Sequence, residues 1–124
     1  IEDLKLKGTF HYEQGYYYFR NVGNRVLFGG GRNLDKKTEN TSEIELTSTI
    51  QNKLDQLLKE VILPYHKNVK VEMRWAGIMG VGETKTTIVE QINENIYCSV
   101  RMGGMGVAIG SLIGKEAATL ILKQ

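Results

Sequence analysis

The chain has 124 residues, enough for one domain that buries roughly 65% of its unfolded surface, and its 16 basic and 14 acidic residues leave a net charge of +2. The two signs alternate along the chain, so no polyanionic partner is implied and nucleic acid is not expected as one. A single cysteine, Cys98, closes no internal disulfide and points to a cytoplasmic setting, while no run reaches the ~20 apolar residues of a membrane span.

In chain order, "KLKGTFHYE", "YYYFRN" and "RVLFGGG" predict three strands, because Tyr, Phe, Val and Leu favour a pleated, half-buried surface. A turn at Val22-Gly23-Asn24 joins the last two. Alternation in "HYEQGYYYFR" sends Tyr16 and Tyr18 one way, with Tyr12 joining them across the Gly15 kink, and Tyr17 the other. "GRNLDKKTENT" reads as a polar loop. Ser42 and Glu45 then form a capping-box signature, and Ile50, Leu54, Leu57, Leu58 and Val61 recur at helical spacing up to Pro64. The resulting helix would be about 30 Å long.

Val69, Val71, Met73 and Trp75 alternate with Lys70, Glu72 and Arg74, which is strand periodicity. "TTIVEQI" and "NIYCSVRM" predict two more strands joined at Asn93-Glu94-Asn95, and Val107, Ile109, Leu112, Ile113, Ala117, Leu120 and Ile121 mark a closing apolar helix. The order βββ-α-βββ-α predicts one α+β domain, with a mostly antiparallel mixed sheet packed against a long helix and a C-terminal helix entered through a glycine loop.

That loop, "RMGGMGVAIGSLIG", carries the chemistry. A helix start offers unpaired N–H groups and about half a positive charge, and glycine lets an anionic group approach the backbone there. Gly106, Gly110 and Gly114 also fall at i, i+4, i+8, a bare stripe along which other backbone can lie. Ligand seat and tightly packed helix are both compatible with this spacing. The dinucleotide fingerprint is not: "GMGVAIG" has the wrong glycine interval and no acidic residue on a following strand. His11, His66 and Cys98 stand at unrelated spacings, so no metal site is expected, and Ser99 and Ser111 lack the partners of a hydrolytic triad.

"YYYFRNVGNRVLFGGGRN", the polar loop and helix, "RWAGIMG" and "IYCSVRMGGMGVAIGSLIGKEAATLI" occur in the order of the C-terminal third of FAD-dependent oxidoreductases of the D-amino acid oxidase and glycine oxidase family, which nearly the whole chain resembles. The resemblance implies FAD as cofactor and a small-molecule amine or amino acid as substrate, oxidised by hydride transfer to the flavin. Residues 1–90 would form the substrate-side sheet and helix, and residues 91–124 the closing strand and helix. Gly103, Gly104, Met105, Gly106 and Val107 would meet the flavin's N1 and O2 edge, Gly77, Ile78 and Met79 would border the ring, and Tyr16, Tyr17 or Tyr18 would line the substrate side.

It further implies an N-terminal FAD-binding half of the same protein as partner. Ile1 in place of a starting Met agrees with a piece of something longer, and an open flavin seat would favour self-association of the piece alone. Members of the family commonly place Arg where Met79 stands, to grip a substrate carboxylate. Arg74 and Arg101 are the nearby cations able to replace it. The alternative reading is a non-catalytic α+β module that uses the same helix start as an anion or partner site.

Overall fold

Aromatic and β-branched residues build the first of two compact units, Ile1–Gly77, in a computed structural model that describes residues 1–123. Strands β1 (Thr9–Tyr12), β2 (Tyr17–Val22) and β3 (Arg25–Gly30) form an antiparallel sheet in the order β1-β2-β3. Val22 pairs with Arg25 across the expected turn, where Gly23 takes φ +60°. Cross-strand aromatic pairs fill one face. Phe10 stacks on Phe19 at 5.0 Å, and Phe19 meets Phe28 edge-on at 6.2 Å.

Tyr12 lies opposite Tyr17 and belongs to that face, so its expected grouping with Tyr16 and Tyr18 is corrected. Glu13, Gln14 and Gly15 all have positive φ, and three consecutive left-handed residues reset the alternation that the sequence suggests. The glycines ending β3 also have a steric reason. A Cβ at Gly30 (φ +120°) would lie 2.0 Å from the Tyr16 carbonyl oxygen, which accepts a hydrogen bond from the Gly31 N–H at 2.9 Å.

Helix α1 (Ser48–Leu57) starts at Ser48, not Ser42. The hydroxyl of Thr47, the residue before it, donates to Glu39 at 2.8 Å and caps no helix amide. A π-helical turn, Leu58–Ile62, continues α1, with the Leu63 N–H donating to Leu58. The two together reach only about 20 Å. The wider turn shifts the apolar stripe, so Leu63 is buried with Ile50 and Leu57 while Val61 stays exposed.

Residues 69–82 contain no helix, turn or bend, and they join no ladder. Two polar side chains of the expected strand are anchored: Arg74 donates to Asp55 at 2.7 and 2.9 Å and to Gln51 at 2.7 Å, and Glu72 pairs with Arg25 at 3.4 Å. Val71, Met73 and Trp75 are exposed. Alternation reports which side chains share a face; a strand also needs a neighbour to bond, and no described strand supplies one.

The second unit begins at Ile78. β4 (Ile88–Asn93) and β5 (Ile96–Val100) form an antiparallel hairpin with an irregularity at Gln91/Asn93, and α2 (Gly106–Leu122) packs on both strands with Ile113 buried. The α+β class holds, in the order βββ-α-ββ-α and with two separate antiparallel sheets. Among the described residues no helix is long and apolar enough to cross a membrane.

Candidate functional site

The link from β5 to α2 concentrates backbone that side chains disfavour. Arg101, Gly103 and Gly104 take φ +61°, +56° and +86°, the left-handed region that glycine enters freely and arginine does not. The Met105 N–H donates to the Met102 carbonyl at 2.8 Å, and the carbonyl of Met105 accepts from Ala108 and Ile109 at 2.9 and 3.0 Å. Among the described residues the N–H groups of Gly104, Gly106 and Val107 have no partner. Three donors with the positive end of a 17-residue helix behind them favour an electron-rich group placed over the turn.

Residues 79–86 brace this turn from one side. The Gly103 N–H donates to Gly80 at 3.1 Å. Arg101 Nε donates to the Thr86 carbonyl at 2.7 Å. A Cβ built on Gly82 would come within 2.9 Å of Arg101 Cδ, so a side chain there would push the arginine aside. Met79 Sδ lies 3.2 Å from where a Cβ of Gly104 would be, and Met102 Sδ lies 3.4 Å from that of Gly106. With the half-exposed Met105, three of the chain's four methionines line the turn. Thioethers are polarisable and pack well against aromatic rings.

The expected site residues fall in both units. Met79 and residues 103–107 are brought together in the second, where Ile78 is exposed. Gly77 ends the first unit with open space beside it. Of the tyrosines there, Tyr18 is half exposed and lies over Gly29, whereas Tyr17 is fully buried with its hydroxyl unpartnered. Burial above all, then the charges of Glu13 and Tyr12, pushes the Tyr17 pKa up.

Neither candidate substitute for a carboxylate anchor is free. Arg74 is held by Asp55 and Gln51, and Arg101 is tied back to Thr86. No sequence pattern marks Gly80 and Gly82 as part of the site. The arginine they accommodate is distant in sequence.

The family model described as FAD dependent oxidoreductase matches residues 3–120. A curated protein of Haemophilus influenzae named "Probable oxidoreductase OrdL" is 27% identical over 106 residues, covering 86% of this chain and 22% of the relative. The chain thus spans about a fifth of that relative's length. No solved structure matches it.

Proposed function

The chain belongs to the FAD-dependent oxidoreductase family, and from that premise we propose that it forms the flavin-edge seat and substrate side of an enzyme that oxidises an amine or amino acid. The observation that carries this reading is the turn at Gly103–Val107, with three unpartnered N–H groups and bare glycines held against Met79. Such a cradle fits the edge of a planar ring that gains negative charge on reduction. It does not offer a loop for the dinucleotide's phosphates. Those are assigned to a further stretch of polypeptide, in keeping with the chain's short coverage of its relative. The exposed Val107, Leu112 and Leu122 on α2 are apolar surface such a stretch would cover, and which would make the chain alone self-associate.

When bound, FAD supplies the two-electron acceptor for a hydride from the carbon bearing the amine. The chain's own residues bind and orient. The amides of Gly104, Gly106 and Val107 would hold the electron-rich edge of the ring, and the α2 dipole would favour charge there. Met79, Met102 and Met105 would wall the seat with thioethers. Met79 brings no charge to grip a carboxylate, which favours an amine without one beside the reacting carbon.

Anaerobic titration of the longer, FAD-loaded polypeptide that carries this chain tests the reading. Amines are expected to bleach the flavin spectrum. A polypeptide that holds no FAD, or whose flavin no amine or amino acid bleaches, contradicts it.

A further inference from the structure

We infer that Arg101 is a positioning residue for the flavin seat: its guanidinium works as a clamp that fixes the glycine turn, and it is not a substrate anchor. The inference rests on the reading that this turn meets FAD. Three observations carry it. Arg101 is held at φ +61°, a strained conformation for a non-glycine residue that persists only where its surroundings enforce it. Its Nε is committed to the Thr86 carbonyl at 2.7 Å, and among the described residues it has no carboxylate partner. Its aliphatic stem and Nη1 lie where a Cβ of Gly82 would intrude, at 2.9 and 3.0 Å.

The consequence is a closed brace. The side chain of Arg101 grips residues 82–86, the backbone of Arg101 lies 3.4 Å from a Cβ position on Gly80, and Gly80 in turn accepts the Gly103 N–H at 3.1 Å. Fixing Gly80 therefore fixes Gly103. The open amides follow directly, at Gly104, Gly106 and Val107. An amide that must meet a developing charge is effective only if it is already in place, because reorienting it during reaction consumes the stabilisation it provides. The same geometry leaves the guanidinium directed along residues 82–86, whereas Met79 Sδ lies over Gly104.

Three variants of the longer, FAD-loaded polypeptide test this. Arg101→Gly removes the guanidinium while easing the left-handed backbone, so it should fold. Gly82→Ala displaces the guanidinium without altering Arg101, and Arg101→Lys restores a donor and the charge. Arg101→Gly and Gly82→Ala are each expected to weaken FAD binding about tenfold and to lower the flavin midpoint potential, with Arg101→Lys between them and the wild type. Without FAD, Arg101→Gly in the same longer polypeptide should speed hydrogen exchange of the Gly103 amide. A wild-type polypeptide that holds no FAD overturns the proposed function and this inference with it. Wild-type affinity and potential in Arg101→Gly and Gly82→Ala, beside a wild type that binds FAD, overturn the clamp alone.

Discussion

Gly30 shows how one position can decide a hairpin. Its φ of +120° and the 2.0 Å separation between a built Cβ and the Tyr16 oxygen leave no room for a side chain, so Gly30→Ala should cost at least ~2 kcal/mol in urea unfolding. Tyr17 makes the opposite case. Its buried hydroxyl has no partner, and Tyr17→Phe should be neutral or stabilising by up to ~1 kcal/mol at neutral pH. The pH dependence follows from its raised pKa. The native state holds the phenol proton more tightly than the unfolded chain, so this group's contribution is complete below about pH 10 and is lost as pH rises beyond it. Unfolding curves taken at rising alkaline pH should therefore fall less steeply for Tyr17→Phe than for the wild type. Met79→Arg would place a bidentate donor beside Gly104. The ratio of kcat/KM for α-amino acids over simple amines should rise at least about tenfold, the effect of one charge-assisted hydrogen bond. Of these positions, Met79 and the glycine turn were singled out by the family resemblance, and the structure brings Met79 Sδ beside Gly104. The sequence did not carry the face of Tyr12, because three left-handed residues from Glu13 to Gly15 break a period-two count, nor the tether of Arg101, which depends on glycines brought near only by folding.

At the scale of elements, the two hairpins and α2 were readable because each joins residues close in sequence through turns with glycine or asparagine, Gly23 in one and Asn93–Asn95 in the other. The start of α1 was not. Ser42 and Glu45 match a capping box, but the chain reaches α1 only after Thr47 has spent its hydroxyl on Glu39, a contact outside any local pattern. Val69–Trp75 alternates as a strand would but joins no ladder among the described residues. Glu72 and Arg74 are held by Arg25, Asp55 and Gln51, while Val71, Met73 and Trp75 stand open. Helix α2 allows a direct test of its glycine stripe. A Cβ on Gly110 meets nothing within 4 Å, so in this chain Gly110→Ala should raise stability by up to ~1 kcal/mol through helix propensity alone. Thermal unfolding of the two chains measures it, and a lowered Tm would mean that the stripe is already filled.

At the scale of the whole molecule, the core is thin for the chain's length. Tyr17, Ile50, Leu57 and Leu63 are buried in the first unit and Ile113 in the second, while α2 and the run around Trp75 leave large apolar side chains in water. Under the proposed function, the open apolar face of α2 is surface that a cofactor and a further stretch of polypeptide would cover. The central claim is that the glycine turn meets the flavin. Amide hydrogen exchange of the longer polypeptide, measured with and without FAD, tests it most directly. The account predicts that FAD slows exchange at Gly104, Gly106 and Val107; unchanged exchange at all three, with FAD bound, would contradict it.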